Sequence, residues 1–319
     1  MPSSKKKQKK KSTKKTQSKT TDTKSADLSK ASTQIVKQKV SGQKVSGQKV
    51  YCSDLSEKAW KNLEPLLPKK QTGKVGQTGK VGRPTSDLRL IINGILYVLR
   101  SGCRWAMLPK EYPCFKTVYS YFWRWSREGI WQKIQVALVK KVRKKVKKRK
   151  ERPSAACLDS CSVKTTQIGG EERGYDAGKK VKGRKRFILV DTVGLLLAVI
   201  VVGAHTSEKA GAQLLLEKIK SSKRLSNLCR RIKLVWVDGG YQGNELVQWV
   251  KHVWNWSWQV VKRNEDQSGF VVLPRRWVVE RTFAWLSFHR RLNKDYEKTT
   301  QSSENFIYIA AIDLMLKRL

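Results

Sequence analysis

Three acidic residues, Asp159, Asp238 and Glu280, stand where the pattern of the chain would gather carboxylates. Asp159 follows the β-rich run Ala155 to Leu158, Asp238 follows the run Ile232 to Val237, and Glu280 falls on a helical stretch, Arg276 to Leu286. Strand ends facing a helix can converge. Carboxylates collected there raise one another's pKa unless a hard cation neutralises them. Mg²⁺ suits such a cluster, being octahedral and oxygen-seeking, and it keeps several waters while taking substrate phosphates. Two such ions about 3.5–4 Å apart activate an attacking oxygen and stabilise a leaving one in phosphodiester displacement. Each acid also has an ordinary reading: Asp159 as a turn cap, Asp238 before Gly239 and Gly240 as a turn residue, Glu280 as a surface helix residue. Taken singly these stay open, while the three together in a strongly basic chain favour a cluster.

The elements that must position these acids follow from periodicity. From Ala155 onward, short β-rich runs occur at Ala155 to Leu158, Arg186 to Asp191, Leu195 to Val202, Ile232 to Val237 and Trp258 to Lys262. Ser207 to Lys220 and Arg276 to Leu286 read as helices, and Asp191 to Gly194 as a hairpin turn. This order describes an α/β fold, a mixed sheet with flanking helices. Trp254, Trp256 and Trp258 alternate by two, which a half-buried strand explains, stacking on an unpaired base being the other reading. Asp191 is explained by its turn, and His205 by a strand end or a DNA contact.

Ahead of this region the chain is helical. Asp54 can cap a helix with Glu57 three residues on and Pro68 at its end, and a second helix runs from Asp87 to a stop at Gly102. In a third, Lys116 to Arg127, basic Lys116, Arg124 and Arg127 alternate with aromatic residues. That pattern fits a packed aromatic core with a solvated basic edge, or a helix-turn-helix recognition element in a major groove. Lys140 to Arg152 holds ten cations against one Glu, which repel one another unless phosphates lie close.

Lys and Arg total 68 against 25 Asp and Glu, a formal charge of +43 on 319 residues. Nucleic acid is the expected partner, because neutralised phosphates release counterions. No apolar run approaches the roughly 20 residues of a membrane span, and the cytoplasm is the expected compartment. Residues 1–50 hold 15 Lys and little that is apolar, so a disordered arm is expected. Short repeats at Gln38 to Gly47 and Gln71 to Gly82 read as expanded linkers. Six Cys without a CxxC pair indicate neither a zinc site nor a disulfide framework. The expected organisation is a disordered arm over 1–50, a helical DNA-binding domain over 51–150 and a catalytic domain over 151–319.

Several stretches carry a family resemblance. GRPTSDLRLIINGILYVLRSGCRWAMLP, the residues around Asp159, RGYDAGKKVKGRKRFILVDTVGLLLAVIV, VDGGYQG at Asp238 and GFVVLPRRWVVERTFAWL resemble bacterial insertion-sequence transposases of the DDE type, in the insertion sequence 5 group. The resemblance covers Tyr51 to Leu319. It implies an RNase H-like catalytic domain behind a small helix-turn-helix-like domain, with Asp159, Asp238 and Glu280 as ligands of Mg²⁺, for which Mn²⁺ can substitute. Of the wider group's Tyr-(2)-Arg-(3)-Glu-(6)-Lys signature, Arg276 and Glu280 match. Leu273 and Ser287 replace the Tyr and Lys, leaving His289, Arg290 or Arg291 to substitute for the Lys. The implied reaction is cleavage at each element end to free a 3′-hydroxyl, which then attacks target DNA. Arg276 would steady the scissile phosphate, and Tyr175, Lys179, Lys180, Lys182, Lys185 and Arg186 would form a basic loop on the DNA backbone. Double-stranded DNA, as terminal inverted repeats and target, is then the partner, with a homodimer joining two ends in the bacterial cytoplasm. The competing readings are a non-catalytic DNA-binding regulator of the same element and an RNase H-like nuclease that cuts without joining.

Overall fold

The computed structural model describes residues 50–68, 86–146, 149–168, 170–261 and 277–319. The expected disordered arm, both short repeats, Leu273 and Arg276 lie outside the described residues. Helix α1 (Glu57–Leu63) starts from Ser56, whose Oγ accepts the Ala59 N–H at 3.2 Å, and not from Asp54. Asp54 is drawn away because it accepts the Tyr112 hydroxyl at 2.6 Å and the N–H groups of Val50 and Tyr51. Helix α2 (Leu88–Ser101) behaves as its sequence indicates: Asp87 Oδ1 accepts the Arg89 N–H at 2.8 Å, and Gly102 ends it at φ 75°, a left-handed conformation suited to glycine. Helices α3 (Phe115–Arg127) and α4 (Ile130–Lys145) follow.

The sheet contains β1 (Ala155–Lys164), β2 (Gly174–Asp176), β3 (Val181–Asp191), β4 (Leu196–Gly203), β5 (Leu234–Val237) and β6 (Ser257–Val260). β3 is antiparallel to β1 on one edge, and on its other edge it pairs antiparallel with β2 and then β4. On the far side of β1, β5 and β6 add in parallel. Parallel neighbours need crossovers; α5 (Glu208–Ser221) and α6 (Lys223–Cys229) provide one, and α7 (Asn244–Trp254) the other. Helix α5 lies close on the sheet because residue 211 is glycine: a Cβ there would fall 2.0 Å from the Phe187 ring.

β1 and β3 extend well beyond the apolar runs that mark them in the sequence. Their outer halves, Asp159 to Lys164 and Gly183 to Arg186, are held by the ladder and by polar partners from elsewhere in the chain. Buried Arg184 donates to Asp295 and to the carbonyls of Glu171, Glu297 and Lys298. Arg186 donates to the Leu292 carbonyl at 2.7 Å.

Two helices complete the fold, α8 (Trp277–Ser287) and α9 (Thr300–Leu316). α9 is apolar on most of its circumference, as a central helix must be. It packs on α4 and β4, and also on α2, α3 and α8. Phe306 of α9 stacks on Phe122 of α3 with centroids 4.6 Å apart. One apolar core therefore runs from the N-terminal helices into the sheet. Among the described residues no helix is long and apolar enough to cross a membrane.

Candidate active site

The register between β1 and β5 decides where the first two acids meet. Ala155 pairs with Leu234, Ala156 with Val235 and Cys157 with Trp236. Continued two residues past the last pair, the same offset would set Asp159 level with Asp238, neighbouring strands lying about 4.8 Å apart. Asp159 is inside β1, not beyond its end, and Asp238 is the first residue after β5. Both are partly exposed. Each is oriented by a local backbone donor: Ser160 N–H to Asp159 Oδ1 at 2.7 Å, and Gly240 N–H to Asp238 Oδ1 at 3.0 Å. Asp238 thus caps a 3-10 turn (Gly239–Tyr241).

Glu280 is exposed in the first turn of α8. That helix covers the face of the sheet carrying Asp159. Ile188, the cross-strand partner of Asp159, lines with Cys161, Phe283 and Leu286 a cavity of about 370 Å³. Phe283 is three residues beyond Glu280, roughly 4.5 Å along the helix. The all-oxygen donors on this face, two carboxylates and a third on the covering helix, fit a hard divalent cation in kind. Among the described residues, no three His, Cys, Asp or Glu side chains are drawn together closely enough to hold one.

A second set of polar residues backs the carboxylate pair on the opposite face. Glu208, at the start of α5, accepts the Ser160 hydroxyl at 2.7 Å. Lys185 is buried there, its Nζ donating to the Thr206 carbonyl at 2.9 Å and lying 3.4 Å from Glu208 and 3.5 Å from Asp176. Tyr241 is fully buried, and burial, together with the charges of Asp159 and Glu208, pushes its phenol well above the ordinary range. Trp258 steadies it by donating Nε1–H to the Tyr241 carbonyl at 3.3 Å. Sequence reasoning singled out none of Ser160, Glu208 and Tyr241. The Ser-Glu pair at 207–208 looks like an ordinary helix start, and Tyr241 is signalled only by its place in VDGGYQG.

The basic residues divide. Lys179, Lys180 and Lys182 are exposed, whereas Lys185 and Arg186, expected on the same loop, are buried and paired inside the protein. Alternation along β3 does not separate them, because the acceptors that hold them come from α5 and from the loop after α8. Lys180 and Lys182 line a cavity of about 520 Å³ with Lys164, Arg173, Tyr175, Thr165, Thr166 and Gln167. On α3, Val118, Phe122 and Trp125 are buried, while Lys116, Tyr119, Trp123, Arg124 and Arg127 are exposed along one stripe. Arg127 lies over the Trp123 ring at 4.8 Å and Arg124 over Tyr121 at 4.6 Å. The run Lys140 to Arg152 is not one solvated face: Arg143 is buried in an ion pair with Asp191, and Lys145 binds the Arg318 and Leu319 carbonyls. Trp256 and Trp258 are core residues, and Trp254 packs on Trp256 at 4.7 Å. Of the candidates to replace the signature Lys, Arg290 is exposed, while His289 and Arg291 are buried.

Comparison with known proteins gives this geometry a context. Residues 55–135 match the family "Putative transposase of IS4/5 family", and residues 150–316 match "Transposase DDE domain". The chain is 33% identical over 93 residues to the "Insertion element IS402 uncharacterized 16.2 kDa protein" of Burkholderia cepacia, covering 28% of this chain and 60% of that protein. It is 29% identical over 117 residues to the "Putative transposase for insertion sequence element IS402" of the same organism, covering 36% of this chain and 54% of that one. A Sinorhizobium fredii protein, y4sN, is 26% identical over 89 residues, or 28% of this chain and 66% of that protein. The chain thus spans between 54% and 66% of the length of these curated relatives. No solved structure matches. With the DDE domain matched over more than half of its length, and the IS4/5 region ahead of it, the chain belongs to the IS4/5 family of DDE transposases.

Proposed function

We propose that this protein binds the ends of its insertion sequence and catalyses divalent-metal-dependent cleavage and joining of DNA, with Asp159, Asp238 and Glu280 as the metal-holding carboxylates. The observation that supports this reading is the register of β1 and β5, whose last pair, Cys157 with Trp236, stands two residues before Asp159 on β1 and two before Asp238. An antiparallel set of strands on one side of β1 and parallel additions on the other support an RNase H-like catalytic region over 151–319.

Bound there, Mg²⁺ would neutralise the carboxylates, polarise the scissile phosphate and lower the pKa of the attacking hydroxyl or water. The protein's own part is to hold its oxygen donors in fixed positions. The Ser160 and Gly240 N–H groups fix the Asp159 and Asp238 carboxylates so that little reorganisation is needed when substrate arrives. Arg276, four residues before Glu280 in the sequence, is the proposed contact to the scissile phosphate. Lys164, Arg173, Lys180 and Lys182 line a cavity with no acidic side chain among the described residues around it, which suits a nucleic-acid backbone. The exposed stripe of α3, with Lys116, Arg124 and Arg127, is proposed to lie against the element end as part of a DNA-binding region over 51–150. Synapsis of two ends makes a homodimer the economical assembly.

The test uses purified protein, labelled duplexes carrying the element's terminal inverted repeats, and Mg²⁺. Wild type should nick these ends and transfer the strand to target DNA. Asp238→Asn should bind ends as wild type does and cut at least 10³-fold more slowly. Equal cutting by Asp238→Asn would remove Asp238 from the site. No cutting by wild type would favour a regulator, and cutting without joining a nuclease.

A further inference from the structure

We infer that Glu208 is a positioning residue for the carboxylate pair, acting through the Ser160 hydroxyl on β1 and against the Gly239–Tyr241 turn that carries Asp238. This rests on the proposed role of Asp159 and Asp238 and adds a residue outside the DDE set. Ser160 is the link. Its N–H donates to Asp159 Oδ1 at 2.7 Å while its hydroxyl donates to Glu208 Oε2 at 2.7 Å. On the other strand, a Cβ at Gly240 would lie 3.1 Å from Glu208 Cγ and 3.2 Å from Asp238 Oδ1. Glu208 and Asp238 therefore flank the same glycine, whose own N–H orients Asp238. One side chain bonds to the first half of the site and lies close against the second.

A buried donor points the same way. The Tyr241 hydroxyl, fully buried in the turn that Asp238 caps, lies close to both Ser160 and Glu208.

Glu208 is poorly placed to be a metal ligand itself. Successive strand residues point to opposite faces, so Ser160 and its partner Glu208 lie on the α5 face, away from Asp159 and α8. Both oxygens are also engaged, Oε2 by Ser160 and Oε1 by Lys185 at 3.4 Å with Lys179 at 4.0 Å. What Glu208 does is hold β1 at Ser160 and the backbone at Gly240 at a set separation, and hence the two carboxylates. The ordinary alternative is that Glu208 serves only to neutralise buried Lys185.

Ser160→Ala separates these, because it cuts the link to β1 and leaves the Lys185–Glu208 pair intact. Full-length wild type, Ser160→Ala, Glu208→Gln, the double variant and Asp159→Asn are compared for Mn²⁺ affinity, read as free Mn²⁺ by electron paramagnetic resonance. Thermal unfolding by circular dichroism and binding of element ends are measured alongside. Residues that orient metal ligands typically contribute 10–100-fold to affinity, so Ser160→Ala and Glu208→Gln should each weaken Mn²⁺ binding about tenfold or more. The double variant should be no weaker than the worse single one, since both break one link. End binding should be unchanged. Wild-type Mn²⁺ affinity in Ser160→Ala overturns the inference, even if Glu208→Gln is unstable or fails to fold. So do effects that multiply in the double variant. Failure of Asp159→Asn to weaken Mn²⁺ binding has a different meaning: it removes the proposed metal site, and this inference with it.

Discussion

Asp313 on α9 should contribute heavily to stability, through a charge cluster that joins three parts of the chain. Its carboxylate is 1% exposed, and Arg100 of α2 donates to both of its oxygens. His289 Nε2 lies 3.0 Å away and Lys317 Nζ 3.3 Å. Burial alone would raise the Asp313 pKa, but His289, Arg100 and Lys317 outweigh it and hold the carboxyl well below the usual range. Asp313→Asn keeps the shape and removes the charge. Stripping one partner from a buried pair costs about 3–5 kcal/mol. The Arg100 side chain is 22% exposed and keeps a bond to the Cys52 carbonyl at 2.8 Å, so the lower end, about 3 kcal/mol, applies. At roughly 2–4 °C per kcal/mol for a chain of this size, the Tm should fall by about 6–12 °C.

The pH dependence gives the sharper check. A folded-state pKa below the unfolded value of about 3.9 adds stability that is complete above that value and is lost as pH falls toward the folded pKa. The gap between wild type and Asp313→Asn, measured by urea unfolding with circular dichroism, should be constant from about pH 8 to 5 and narrow below about pH 4. A loss under about 1 kcal/mol at pH 7 would refute the account of the charge cluster. A gap unchanged at pH 3 would do the same.

Two further outcomes follow from packing and charge placement. Gly211→Ala would push a methyl group into the Phe187 ring and should cost about 1–3 kcal/mol in thermal melts; a neutral result would mean that α5 can lift off the sheet. Lys182→Gln should lower the slope of log affinity against log salt for element ends by about 0.9. Lys185→Gln should leave that slope unchanged and cost about 3 kcal/mol of stability instead, and a matching loss of slope would place Lys185 on the DNA.

The parts of the fold that the sequence announces are those held together locally. α2 carries its own cap, Asp87, and its own stop, Gly102. The apolar centres of β1 and β5 stand out, and with them the neighbourhoods of Asp159 and Asp238. The polar outer halves of β1 and β3 do not stand out, because their stability comes from remote groups. Arg184 finds Asp295 across 111 positions, and Lys185 finds Glu208 across 23. A cation inside a basic stretch looks the same whether it faces phosphate or a buried carboxylate. Glu208 is hidden for a related reason, since Ser-Glu at a helix start is common with or without a role beside a site. Helix α9 lacks the amphipathic stripe that marks a surface helix, and only its central position in the core accounts for its composition.

That position of α9 bears on how the protein matures during synthesis. The N-terminal helices and the sheet leave the ribosome first, yet the apolar surfaces they present to each other are completed by residues 300–316. Until those residues emerge, the earlier segments have no finished interior to settle into and remain open to chaperones and proteases. Translation that halts before residue 300 should therefore yield chains that are degraded, not partly active ones. A finished interior would then appear late and all at once, with the emergence of this helix.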